Sequence, residues 1–150
     1  MISLYNGSVN RVIKISSVKL INSQITTVNG VILEFRFLRI TGHSAGTLIT
    51  PQTFDTVDSL DANVTVRTGA TVAGEAATPL FRYYWSGDEW GAASSKIEGT
   101  DHSNQTLSPI YSRKINEKPI TLRAGEGLTI KQLTNTAIGT FDIEIIFTEE

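Results

Sequence analysis

Two histidines, His43 and His102, and no cysteine make up the imidazole and thiolate inventory of this 150-residue chain. His43 sits in the turn-forming run Gly42-His-Ser-Ala-Gly46 and His102 in a long polar stretch, so a zinc centre would need carboxylates gathered from distant segments. Asp55, Asp58 and Asp61 recur every three residues. A calcium loop uses a step of two and needs a glycine and a closing glutamate that do not follow here, so these aspartates read as turn caps. Asp88 and Glu89 are adjacent and diverge on an extended backbone, whereas glycoside hydrolysis needs two carboxylates converging across one bond. No G-x-S-x-G elbow occurs, and Gly125-Glu126-Gly127 lacks the third glycine and the following helix of a phosphate loop. The N-x-S/T triplets at Asn6, Asn63 and Asn104 carry meaning only in a secreted eukaryotic protein. The chain is therefore read as a non-enzyme, with no catalytic, cofactor-binding or metal-ligating residue assigned and no cofactor expected.

What resists a purely structural reading is aromatic: Phe81, Tyr83, Tyr84, Trp85 and Trp90 fall within ten residues. On a strand Phe81, Tyr83 and Trp85 share one face, which suits a core, while Tyr84 points the other way and Trp90 enters a loop. Tyr, Trp and Arg are the types that anchor protein interfaces or stack on sugars. Arg82, Tyr84, Asp88 and Trp90 are accordingly the candidate partner-binding residues, at the base of the Gly- and Ser-rich run Ser86 to Ser108. A loop that long is commonly kept for recognition.

The elements that must carry these residues read as strands. Arg11 to Ile21 places Ile13 and Ile15 in one phase and Val18 and Leu20 in the other, so a bulge is expected at Ser16-Ser17. Val31, Leu33, Phe35 and Phe37 alternate with Glu34 and Arg36 in the next strand, which is expected to pair with the first across the Asn29-Gly30 turn. Short strands follow at Thr47 to Thr50 and Asn63 to Arg67, then Leu80 to Trp85. At the end of the chain Leu128 and Ile130 precede a longer alternation, Phe141, Ile143, Ile145 and Phe147 against Asp142, Glu144 and Thr148; these two runs are expected to form an antiparallel pair with one wet face. Gly125 and Gly127 are expected at positive φ in the turn before them. No ten-residue stretch has helical periodicity with caps. About eight short antiparallel strands in one domain spanning residues 1–150 point to an all-β sandwich or barrel, and a jelly-roll-like sandwich is favoured because it pairs edges between two sheets.

Composition limits the function classes. Apolar residues make up 40% and charged residues 19% of the chain, with a net charge of −2 and no basic cluster larger than Arg113-Lys114, so direct nucleic-acid binding is not expected. The opening MISLYNGSVNRVIK lacks the charged start and apolar core of a signal peptide, and no run of 18 apolar residues suggests a membrane partner. Without cysteine, stability must come from packing or assembly.

Taken together, RVIKISSVKLIN, TTVNGVILEFRFLRITGHSAGTLITP, LFRYYWSGDEW, PITLRAGEGLTIKQ and TFDIEIIF resemble segments of small structural proteins of tailed bacteriophages, of the capsid decoration or cement type. The resemblance covers most of the chain. It implies a jelly-roll-like domain assembled in threes on the outer surface of a phage head, with the major capsid protein as partner and assembly in the host cytoplasm. It implies no catalytic residue, and the chain departs from the better-known decoration proteins in having no evident extended N-terminal arm. Two other classes fit the same residues: a carbohydrate-binding module or lectin, with Tyr84 and Trp90 as platform, and another virion component such as a neck, tail or head-fibre protein.

Overall fold

The computed structural model describes residues 1–22, 31–87, 107–114, 116–133 and 141–150. These form an all-β antiparallel sandwich of twelve strands, more than the eight or so expected, with no helix among the described residues. In chain order they are β1 (Ile2–Asn6), β2 (Ile13–Asn22), β3 (Val31–Ile40), β4 (Gly42–Ser44), β5 (Thr47–Ile49), β6 (Val64–Thr68), β7 (Thr71–Ala73), β8 (Phe81–Gly87), β9 (Leu107–Ser112), β10 (Ile120–Leu122), β11 (Glu126–Gln132) and β12 (Phe141–Glu149). The larger sheet runs β5-β6-β1-β11-β3-β8. In the smaller sheet β2 is central, with β12 along one edge and β9 and β10 end to end along the other. A short ribbon of β4 and β7 lies over the outer face of the larger sheet, where His43 of β4 reaches Ser3 of β1 and Thr65 of β6.

Alternation decides which side chains enter the core. Leu33, Phe35 and Phe37 of β3, Ile2 and Leu4 of β1, Leu128 and Ile130 of β11 and Val64 and Val66 of β6 point from the larger sheet onto Ile13, Ile15, Val18, Leu20 and Leu122 of the smaller one. All of these are buried. Aromatic rings join the two layers: Phe81, stacked on its sheet neighbour Phe37 at 4.0 Å between centroids, reaches Tyr111 of β9 at 6.0 Å, and Trp85 meets Phe141 of β12 edge-on at 5.0 Å.

The bulge lies where the phase slip places it. Ile146 pairs with Ser17 and Phe147 with Ile15, so Ser16 is the extra residue, and its hydroxyl donates to the Ile146 carbonyl at 3.1 Å. Without it either the Ile13/Ile15 pair or the Val18/Leu20 pair would face water, because a one-residue shift reverses every side chain.

Two pairings differ from expectation. β11 and β12 do not pair with each other; β11 lies between β1 and β3 in the larger sheet while β12 pairs with β2 in the smaller one. Nor does β2 pair with β3, which is flanked by β11 and β8. Each of these neighbours in sequence crosses from one layer to the other, which a shared apolar face permits as readily as a hairpin does. The unexpected β1 is a central strand, and both of its faces are covered, Ser3 as fully as Leu4. Finally, Gly125 does take φ +78, but Gly127 is extended within β11. Its role is close approach: a Cβ there would stand 2.7 Å from Ile40 Cγ1 and 2.8 Å from the Leu4 carbonyl oxygen.

On β12 the expected phase holds, with Phe141, Ile143, Ile145 and Phe147 packed against the core and Asp142, Glu144 and Thr148 exposed. Because β12 is an edge strand, the inward residues are only partly buried. Ile143 faces Leu20 across the ladder, and Leu20 is buried. Leu20→Ala is therefore expected to be the more costly change, Ile143→Ala to cost about 2 kcal/mol, and Glu144→Ala, which loses an exposed ion pair with Lys19, less than about 1 kcal/mol. Urea denaturation of the three variants tests the order; Glu144→Ala as the worst of them would reverse the register.

Candidate functional site

The candidate partner-binding residues of β8 sit on the outer face of the larger sheet. β3 and β8 are antiparallel with Glu34 opposite Tyr84 and Arg36 opposite Arg82. Phe81, Tyr83 and Trp85, in the other phase, pack on the core side, so Arg82 and Tyr84 face outward as the alternation requires. Tyr84 is 56% exposed. Asp88 and Trp90 lie outside the described residues, as does most of the Ser86 to Ser108 run.

Glu34 organises this surface. Its carboxylate accepts from Arg36 Nε at 2.7 Å and from a second Arg36 nitrogen at 3.4 Å, and Arg82 Nε stands 3.6 Å away. The bond from Arg36 holds the Glu34 carboxyl below the usual carboxylate range, against a partial desolvation that acts the other way, and the two guanidinium charges add to it. Two cations around one anion leave a net positive charge beside an exposed phenol ring. Such a surface can accept acidic or carbonyl-rich contacts, and fixing Arg36 beforehand lowers the ordering cost of binding.

A second polar cluster lies further along the same face, announced in the chain only by a histidine among glycines. His43 Nδ1 is 2.7 Å from Ser3 Oγ and Nε2 is 2.7 Å from Thr65 Oγ1, with Tyr5 packed at 5.4 Å. A Ser–His pair suggests a nucleophile, but Ser3 is fully buried and the second ring nitrogen meets a hydroxyl where a triad has a carboxylate. The cluster pins the β4–β7 ribbon to the sheet. Burial pushes the His43 pKa down, and the Arg67 charge adds to the shift. The unfolded chain then takes up the proton first as pH falls, so the contribution of His43 to stability is complete above pH about 6.5 and is lost as pH drops towards the folded value. Denaturation midpoints between pH 7.5 and 5 are expected to fall more steeply for the wild type than for His43→Gln; parallel curves would remove His43 as the source.

The aspartates act as turn caps at two of the three positions. Asp55 Oδ1 accepts from the Val57 amide at 2.9 Å and Asp61 Oδ1 from the Asn63 amide at 2.8 Å. Asp61 also accepts from the Ser8 hydroxyl at 2.6 Å, and these bonds, with the Ser8 hydroxyl foremost, lower its pKa. Asn6, the first glycosylation triplet, is fully buried and committed to internal hydrogen bonds. Among the described residues no group of three or more His, Asp or Glu side chains stands close enough together to hold a metal ion. Compared with protein-family models, with curated proteins and with solved structures, the chain matches none.

Proposed function

We propose that the protein is a structural component of a bacteriophage virion, a decoration or cement protein that binds the outer surface of the head and stabilises it. The observation that carries the reading is the outer face of β3 and β8, where Arg82 and Tyr84 stand exposed around the Arg36–Glu34 pair. Arginine and tyrosine dominate binding energy at protein interfaces, and a rigid sheet presents them with little ordering cost. The jelly-roll relationship, assembly as a trimer and the major capsid protein as partner belong to the same proposal and rest on the family resemblance. A binder of this kind stabilises a shell simply by preferring its assembled state.

The test is occupancy on purified heads that lack the protein. Tyr84→Ala and Arg82→Glu are expected to weaken binding by about 2 kcal/mol or more each, roughly thirtyfold, with melting temperatures close to wild type. Unchanged occupancy for both would remove this face as the contact. Saturable binding to a glycan array, lost in Tyr84→Ala, would favour the lectin reading. Light scattering that reports a monomer at high concentration would rule out a trimer formed before docking.

A further inference from the structure

On another side of the sandwich, a groove of about 750 Å³ runs between β12 and the loop that joins β5 to β6. One wall is β12 from Glu144 to Glu149; the other is the loop from Pro51 to Leu60. Among the described residues β12 pairs with β2 alone, so one of its edges presents backbone donors and acceptors that no strand takes up. Edge strands are ordinarily protected by proline, by charged side chains (lysine above all) or by an inward charge; β12, FDIEIIFTE, has no proline or lysine, and its charges before Glu149, Asp142 and Glu144, lie on the outward face. Across the groove Phe54 and Val57 stand 91% and 88% exposed on the loop. The lining carries four carboxylates, Asp55, Asp58, Glu144 and Glu149, against one guanidinium, that of Arg11. Glu149 Oε2 accepts from the Asp61 amide at 3.0 Å, while Oε1 is buried without a partner.

We propose that this groove receives an extended basic segment of a partner protein, which adds to the smaller sheet as a further strand beside β12. The edge supplies main-chain hydrogen bonds, Phe54 and Val57 cover alternate apolar side chains, and the carboxylates select cations, with Glu149 Oε1 gaining the donor it lacks. The occupied edge of β12 already uses this chemistry: β2 places Lys14 on Glu150 and Lys19 on Glu144. A second copy of β12 is disfavoured as occupant because it would set acidic residues against this acidic lining. The surface is separate from the Arg82–Tyr84 face and does not depend on the capsid reading.

The probe is a fluorescein-labelled peptide with the sequence of residues 11–21, RVIKISSVKLI, which takes in most of β2, the strand that β12 already pairs with, and carries three cations. Fluorescence anisotropy with the full chain is expected to show saturable binding that weakens about tenfold when the three cations are replaced by glutamine, and also weakens as salt is raised. Phe54→Ser combined with Val57→Ser, at two exposed positions, is expected to reduce affinity about tenfold with an unchanged melting curve. The proposal is overturned by absence of binding at millimolar peptide or by equal binding to the double variant. It is equally overturned if β2 amides lose hydrogen-exchange protection on binding, since the peptide would then be replacing β2. Concentration-dependent dimerisation of the wild type that the double variant abolishes would assign the groove to a second copy.

Discussion

Phe37→Ala is expected to cost about 3–5 kcal/mol and to lower the melting temperature by about 6–20 °C. Phe37 is fully buried and forms the start of a stack that runs through Phe81 at 4.0 Å to Tyr111 at 6.0 Å between ring centroids. Those rings belong to β3, β8 and β9, so the stack ties the edge of the larger sheet to the smaller one. Removing the first ring leaves a cavity that the closed ladders on either side of β3 cannot collapse to fill. Tyr111 feels the loss as well, because its hydroxyl accepts from the Ile120 amide at 3.1 Å and helps to seat β10. Since a domain of this size is stable by only about 5–15 kcal/mol, the variant should be marginal at 37 °C. Calorimetry decides it: a melting point within about 2 °C of wild type would mean that Phe37 does not face the core.

Asn6→Ala is the second large effect, and it comes from polar rather than apolar burial. The Asn6 side chain donates to the carbonyls of Arg11 at 2.8 Å and Leu122 at 3.1 Å, and accepts from the Ser8 amide at 3.0 Å. It thereby links β1 of the larger sheet to β10 of the smaller and shapes the turn that leads into β2. Alanine leaves three backbone groups without their partner, at about 1–3 kcal/mol for each that water cannot reach, so a total loss above about 3 kcal/mol is expected. Asn6→Asp separates the contributions, keeping the acceptor for Ser8 but losing both donations and placing a charge in a buried site. It should be no better than alanine. If both variants unfold within about 1 kcal/mol of wild type in urea, water has replaced the carboxamide and the junction is not held by Asn6.

Much of the site and the strands was legible in the residues. The alternation Phe81, Tyr83, Trp85 against Arg82, Tyr84 placed two of the four candidate residues on an outward face, and the phase slip at Ser16-Ser17 located a bulge to within two residues. These are local signals: a period of two fixes which side chains share a face whatever the strand pairs with. The same logic carried Phe141 to Phe147. It stopped short at β1, where Ile2 and Leu4 form an alternation too brief to stand out, and at β4, β7 and β10, each three residues long.

Partners, by contrast, were decided only in three dimensions. Alternation says that β11 and β12 each have an apolar face; it does not say that the faces meet each other across the core instead of lying side by side. That choice depends on the sum of long-range contacts, and the same is true of the Arg36–Glu34–Arg82 cluster, which needs β3 beside β8. His43 shows the point most sharply. In the chain it is a histidine among glycines and serines, but once the ribbon folds over β1 and β6 it becomes a half-buried bridge between two hydroxyls forty and twenty-two residues away. The groove beside β12 likewise exists only because the β5–β6 loop and an edge of the smaller sheet converge. Local composition and period are written into neighbouring residues, whereas pairing, burial of polar groups and the shape of a surface are set by which distant segments pack together.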